Sequence, residues 1–163
     1  MIFRYTIIIY ICLSLSGCGF QLRGSNLEAL QNSSVYVRSN GADRLANEVK
    51  RQLRNADIIP VNSAEKAEYI ITLSNENFIR TVLSVSPETG KVEEYEMSYS
   101  ATMSITSSQG KTLVNSEPIL AERDYTFDED AVLGKFTEET VLQKDIANQA
   151  AAAVLRRLQV ITK

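Results

Sequence analysis

The sequence feature that most constrains the fold is a strict alternation of apolar and polar side chains from Tyr95 to Thr106. Apolar residues occupy the odd positions, whereas Glu, Ser and Thr occupy the even positions. Successive side chains of a β-strand point to opposite faces of its sheet, so the alternation predicts a strand with one buried face and one polar face. A chain built around this strand must supply a second layer that covers one side of the sheet.

Turn signals on both sides of this strand predict two hairpins, at residues 87–90 and at residues 107–110. The preceding strand is expected to start at Tyr69 and to continue to Val85, past the polar residues 75–77. Pro118 predicts an irregular start or an edge position for the following strand, because proline lacks the N–H that a ladder needs. The apolar residues of that strand share one parity: Ile119, Ala121, Tyr125 and Phe127. Residues 35–37 predict an additional first strand.

Two segments have the period of an amphipathic helix. The first begins at Asp43 and ends near Asn55, with Leu45, Val49 and Leu53 at every fourth position. The charged residues between them are interpreted as a solvated face. The second begins at about Thr137, and its apolar stripe, widened by Val141 and Val154, consists of Leu142, Ile146, Ala150, Ala153 and Leu158. The order strand, helix, three strands, helix predicts an α+β fold, with two helices packed on one face of a mostly antiparallel four-stranded sheet.

The N-terminal residues have the pattern of a lipoprotein signal. Arg4 precedes an uncharged run from Tyr5 to Leu15. A bilayer-spanning helix needs about 20 apolar residues, so this shorter run predicts a secretory signal. Leu15-Ser16-Gly17-Cys18 resembles the bacterial lipobox, which implies cleavage of residues 1–17 and lipidation of Cys18. The alternatives are an ordinary secreted protein with a chance cysteine and an uncleaved signal anchor.

Cleavage at that point would leave a lipidated tether, residues 18–34, and a single α+β domain, residues 35–163. Loss of Arg4 would leave 16 basic against 20 acidic residues, a balance that gives no electrostatic basis for binding nucleic acid. The chain has no His, and Cys12 lies in the signal while Cys18 is consumed by lipid. Metal binding through His and thiol catalysis are therefore not expected, and no motif indicates an enzyme or a cofactor.

The mature chain resembles the LptE family of lipopolysaccharide-assembly lipoproteins. The likeness lies in Cys18-Gly19-Phe20-Gln21-Leu22-Arg23-Gly24, in Glu94-Tyr95-Glu96-Met97 and in the order of the elements. The resemblance implies a lipoprotein that sits as a plug inside a large β-barrel, LptD, helps this barrel to fold and contacts lipopolysaccharide through basic residues.

Two lysines are candidates for that contact. Lys135, in Leu133-Gly134-Lys135, matches a family lysine implicated in lipopolysaccharide binding. A second family basic residue falls in the turn before Glu94, where this chain has Glu88, so that position does not carry over. Lys91 is the alternative source of charge in the same turn. Lysine binds phosphate as a point charge, although a solvated surface charge is the alternative interpretation for each lysine alone.

The expected function is therefore that of a non-enzymatic outer-membrane lipoprotein of the lipopolysaccharide translocon, with LptD, lipopolysaccharide and the lipid-anchored membrane contact as its partners. The alternative is an accessory lipoprotein subunit of another envelope assembly or transport machine. Gly19 follows the lipidated cysteine, and the inner-membrane retention signal of enteric-type bacteria is usually Asp at that position. The outer membrane, on its periplasmic side, is therefore the expected location.

Overall fold

The computed structural model describes residues 27–126 and 132–162, without the side chains of residues 28, 29 and 132–138. Four strands and two α-helices follow one another in the described chain. They are β1 (Val35–Asn40), α1 (Asp43–Asn55), β2 (Tyr69–Val85), β3 (Val92–Ser107), β4 (Thr112–Thr126) and α2 (Val132–Ile161), with 3₁₀ turns at Leu27–Leu30 and Ala64–Lys66.

The strands form a sheet in the order β1-β2-β3-β4. β1 is parallel to β2, while β2 and β3, and β3 and β4, are antiparallel. A parallel pair needs a crossover connection, and α1 supplies it between β1 and β2. The predicted α+β fold with a mostly antiparallel four-stranded sheet is confirmed.

The alternation along β3 has the predicted effect on burial. Side chains at odd positions from Met97 to Ile105 are buried, and Tyr95 is half-buried. The even-numbered Ser and Thr side chains are half-buried, because neighbouring strands flank these small groups on the open face. The helices thus cover one face of the sheet, and the other face is a hydroxyl-rich surface.

The apolar stripe of α1 is as predicted, since Leu45, Val49 and Leu53 are fully buried. Glu48, expected on the solvated face, is instead nearly buried at 9% exposure. Its carboxylate accepts hydrogen bonds from Arg51 Nε at 2.9 Å and Gln52 Nε2 at 3.2 Å. The Arg51 hydrogen bond holds the pKa of Glu48 below its ordinary value. Gln52 also donates to the carbonyl of Asn148 at 2.9 Å, so this polar group joins α1 to α2.

Helix α2 differs from its prediction in two respects. It begins at Val132, five residues before Thr137, and Val141 is 52% exposed. Because each helical residue turns by about 100°, Val141 lies beside the stripe that continues through Ile146 and Val154. Three buried alanines, at 147, 150 and 151, leave room for close packing. Leu27 and Leu30 of the first 3₁₀ turn also join this core.

β4 lies at the edge of the sheet, which confirms the edge position predicted from Pro118. Pro118 is the register partner of Thr102 in β3. The strand begins at Thr112, before the proline, and its irregularity is a register shift between the pairs Met103–Glu117 and Ile105–Val114. Ser116 in this bulge has a φ of 49°. Phe127 lies outside the described residues.

The distal half of the β2–β3 hairpin, residues 78–96, is called here the distal hairpin. Most of its β2 side chains are exposed or half-buried. Among the exposed apolar residues are Ile79, Val82, Leu83 and Val85. A second register irregularity, between Val82 and Ser84, lies in this segment. The buried core along β3 therefore ends at Met97, and the sheet continues beyond it.

Replacing Met103 with Asp should destabilise the protein by several kcal/mol, because it buries a charge without a partner. The adjacent Thr102→Ala change removes a half-buried side chain from the open face and should cost roughly 0.5 kcal/mol or less. Chemical denaturation of both variants measures this difference. Equal loss of stability would show that the open face of the sheet is as tightly packed as the helix-covered face.

Candidate functional site

The candidate residues lie at different places in the chain. Cys18 is outside the described residues. Lys135 lies in the first turns of α2, but its side chain is not described. Lys91 is exposed at the turn of the distal hairpin, where Ser86 N donates to the Lys91 carbonyl at 2.8 Å. Gly90 takes a φ of 70° in this turn, a conformation that glycine adopts without strain.

An ion pair joins the distal hairpin to the start of α2. Arg80 Nη1 of β2 lies 3.5 Å from Glu139 Oε2 of α2. Glu139 follows Lys135 by four residues, which is about one helical turn. The fold therefore brings the beginning of α2 to the same end of the sheet as the turn with Lys91.

Aromatic rings and arginines alternate beneath this part of α2. The Arg80 guanidinium lies 4.8 Å from the centroid of the Tyr95 ring, and Tyr95 stacks on Tyr125 with 5.8 Å between centroids. Arg44 of α1 lies 5.0 Å from the centroid of the Phe78 ring. A cation over an aromatic face is attracted by the ring quadrupole, so these rings hold two guanidiniums in place.

Arg123 of β4 is a further basic residue of this region, on the opposite side of β3 from Arg80. Met97 is the register partner of both Arg80 and Arg123, which places the two arginines in one row across three strands, on the helix-covered face. The Gln149 amide oxygen of α2, in the orientation that satisfies both side chains, accepts from Arg123 Nε at 3.2 Å. We call Arg80 and Arg123 the arginine row.

Hydrogen bonding and burial set the protonation states in this region. The hydrogen bond with Tyr125 raises the pKa of Arg80 above its ordinary value, and burial raises the pKa of Tyr125. At neutral pH the guanidinium is therefore charged and the phenol is neutral. The arginine row is a site of fixed positive charge.

A second polar centre, at Glu76, positions α1 against the sheet. Glu76 lies in a β2 bulge next to Asn75, whose φ is 56°. Its carboxylate accepts from the backbone N–H groups of Arg44 and Leu45, each at 3.1 Å, and from the Tyr99 hydroxyl at 3.1 Å. Burial, together with the nearby Glu76 charge, raises the pKa of Tyr99. Glu76 therefore caps a helix whose own N-cap residue makes no side-chain cap.

The sequence analysis predicted neither the arginine row nor the polar centre at Glu76, although a feature of the sequence indicates each of them. Glu76 belongs to a polar triplet that interrupts an otherwise apolar strand, and such an interruption is where a bulge is expected. Arg80 and Arg123 occupy the parity that otherwise carries apolar residues of β2 and β4. A charge at an inward parity is the pattern that indicates this kind of site.

The open face of the sheet carries a shallow depression of about 440 Å³ beside β3. Ser98 and Ser100 line it, together with Ile79 from β2 and Leu120 from β4. Leu120 is 73% exposed. The surface therefore offers hydroxyl groups between two exposed apolar side chains.

Membrane-spanning helices and metal centres are two other features by which a site could be recognised. No helix in residues 27–126 and 132–162 has the length and hydropathy of a membrane span. Among the same residues, no group of three or more His, Cys, Asp or Glu side chains is arranged to hold a metal ion.

The fold and these groups define a class of small α+β proteins with basic groups at one end of a helix-covered sheet, and comparison identifies the family. The LptE family, described as lipopolysaccharide-assembly, matches residues 32–158. The chain belongs to this family.

Similar proteins agree with that assignment. The chain is 26% identical over 156 residues to the LPS-assembly lipoprotein LptE of Pectobacterium atrosepticum, which covers 91% of this chain and 80% of that protein. The solution structure of an uncharacterized lipoprotein B from Nitrosomonas europaea superimposes with a TM-score of 0.72 at 28% identity, covering 88% of this chain and 92% of that chain. The rare lipoprotein B from Shewanella oneidensis gives 0.64 at 26% identity, with 77% and 92% covered.

Truncation of Glu76 tests its capping role. Glu76→Ala should destabilise the protein by about 1–3 kcal/mol, because it leaves the Tyr99 hydroxyl and two helix N–H groups without their acceptor. Glu76→Gln keeps one acceptor oxygen and should lose less. Thermal unfolding measures both, with Glu122→Ala on the exposed part of β4 as the control. A Glu76→Ala protein as stable as that control would contradict the capping role.

Proposed function

We propose that this protein is an outer-membrane lipoprotein of the lipopolysaccharide translocon. In this proposal it occupies the lumen of the LptD barrel, assists the folding of the barrel, and binds lipopolysaccharide during insertion into the outer leaflet. It performs no catalysis. The observation that carries the proposal is the family match over residues 32–158, which spans every strand and nearly all of α2.

The anchor is the lipid on Cys18. In the proposal, residues 1–17 are removed, residues 18–34 connect the lipid to the fold, and residues 35–163 form the domain. Several acyl chains hold a protein firmly on a bilayer, whereas a single chain binds only marginally. Leu27 and Leu30 pack into the core, which fixes the end of the tether to the domain. Gly19 after the lipidated cysteine favours the outer membrane.

The open face of the sheet is suited to the lumen of a barrel. Barrel interiors are polar, and this face presents the Ser and Thr side chains of β3. The exposed residues Ile79 and Leu120 flank them and can fill small recesses in a surrounding wall. This arrangement supports a contact between the open face and the barrel.

Capture from outer membranes tests the partner. Affinity purification of the tagged full-length lipoprotein should recover the lipopolysaccharide-transport barrel. Photo-crosslinkers at Ser100 and Thr102 should capture this barrel, whereas a crosslinker at buried Met103 should not. Recovery of a different envelope machine, with no effect of lipoprotein depletion on barrel folding or on surface lipopolysaccharide, would overturn the proposal in favour of an accessory subunit of that machine.

Lys135 and Lys91 are proposed to contact the phosphates of lipopolysaccharide. Reversal of both to Glu should weaken lipopolysaccharide binding at an unchanged melting temperature, because exposed lysines contribute little to stability. The difference from the parent should shrink as salt rises. Binding assays at two salt concentrations measure this effect.

Lys111→Glu is the matched control for this pair. Lys111 is exposed at the β3–β4 turn, where Ser107 N donates to its carbonyl at 2.9 Å, as Ser86 N does to the carbonyl of Lys91. Its turn lies at the opposite end of β3. Equal binding by the double reversal and by Lys111→Glu would identify Lys135 and Lys91 as ordinary surface charges.

A further inference from the structure

The part of α2 above the arginine row, residues 139–145, is held by polar contacts and by half-buried Leu142, which packs against the core. Among the described α2 side chains, burial begins at Ile146, and residues 139–145 are half-buried or exposed. Glu139 pairs with Arg80, and Gln143 accepts a hydrogen bond from Arg44 Nη1 at 2.5 Å. Segments with little apolar burial open more easily than a packed core. Residues 139–145 of α2 therefore cover the arginine row and leave it accessible to solvent.

The row itself is a pair of like charges on a rigid sheet. Arg80 and Arg123 both face α2 from either side of Met97, so their Cα atoms lie two strand spacings, or roughly 10 Å, apart. The Tyr95 ring, with its centroid 4.8 Å away, holds the Arg80 guanidinium in place. A held guanidinium loses less conformational freedom on binding an anion than a free one.

Among the described side chains of α2, the two members of the row have different partners. Arg80 pairs with the carboxylate of Glu139, whereas Arg123 donates to the neutral amide of Gln149. The Arg80–Glu139 separation of 3.5 Å is longer than the 2.7–2.9 Å typical of a charge-assisted hydrogen bond. The Arg80 side chain is 48% exposed and that of Glu139 36%. This pair is therefore weak and accessible to a competing anion.

We propose that the arginine row binds phosphate monoester groups of a phosphorylated lipid, and that Glu139 occupies the Arg80 end of the row until such a group displaces it. The inference rests on the proposed function in one respect, because lipopolysaccharide is the phosphorylated lipid that this protein would meet. Arg80 and Arg123 supply positive charge, whereas the turn of the distal hairpin carries the acidic Glu88 at the position where the family has a basic residue. A dianionic phosphate attracts a guanidinium more strongly than a single carboxylate does, and guanidinium groups bind phosphate oxygens in a bidentate manner.

Opposite changes at the two members of the ion pair test the inference. The full-length lipoprotein in detergent would be titrated with fluorescently labelled lipopolysaccharide. Arg80→Gln should weaken binding by about tenfold, because a charge-assisted contact is lost. Glu139→Gln should tighten binding by about two- to fivefold, because the internal competitor is removed. A gain of affinity at an unchanged melting temperature excludes partial misfolding as its cause.

The ion pair between Glu117 and Arg157 provides the matched control. This pair joins the sheet to α2 as well, from β4 instead of β2, at 2.8 Å with side-chain exposures of 40% and 41%, but it lies near the other end of the helix. Glu117→Gln should leave the affinity unchanged. An equal gain of affinity from Glu117→Gln and Glu139→Gln would reflect net charge alone and would overturn the proposal.

The same variants distinguish the chemical group that is bound. With enzymatically dephosphorylated lipopolysaccharide, the parent, Arg80→Gln and Glu139→Gln should bind alike. Inorganic pyrophosphate should compete with labelled lipopolysaccharide for the parent more effectively than for Arg80→Gln. Unchanged lipopolysaccharide affinity in both variants overturns the inference, even where the lipoprotein still purifies with its barrel and the proposed function stands. Loss of barrel capture, with the opposite affinity changes intact, would instead contradict the proposed function alone.

Discussion

The carboxylate of Glu76 is the interaction on which the arrangement of the two layers depends. It accepts from the first N–H groups of α1 and from Tyr99 in the core, while the backbone N–H of Glu76 donates to the carbonyl of Gly41 at 3.2 Å. A negative charge at a helix N-terminus is favourable because of the helix dipole. The bulge in β2 thus fixes where α1 starts, and α1 in turn sets the crossover that pairs β1 with β2.

The helix-covered face of the sheet has a tightly packed apolar part and a polar part. Towards β1, the helices bury leucine, valine and alanine side chains against the sheet. At Met97, the outer end of this core, the same face carries Arg80 and Arg123, whose contacts with α2 are an ion pair and an amide hydrogen bond. The packed part supplies most of the stability, because the burial of apolar surface is the main driving force of folding. The polar part is then available for binding.

The fold could be predicted because burial repeats with the period of each element. The bounds of α1 and the continuation of β2 through residues 75–77 are confirmed. The apolar stripe of α1 is buried in the core, and the part of β2 beyond these residues is rich in the β-branched residues typical of strands. The start of α2 could not be found in this way, because Lys135, Glu138 and Glu139 occupy the positions one and two turns before Leu142, where the apolar stripe would continue. Glu76 and the arginine row depend on contacts between residues distant in sequence, and periodicity carries no information about these contacts.

The position of the arginine row also explains why charge occurs on the inward face of a sheet. A guanidinium placed among apolar side chains would carry a large desolvation cost, but here the aromatic rings of Tyr95 and Phe78 cover one side of Arg80 and Arg44 while solvent reaches the other. An aromatic ring is apolar like a leucine side chain, but its face also attracts cations. The aromatic rings near Glu139 therefore allow the sheet to extend past its core and to hold positive charge there.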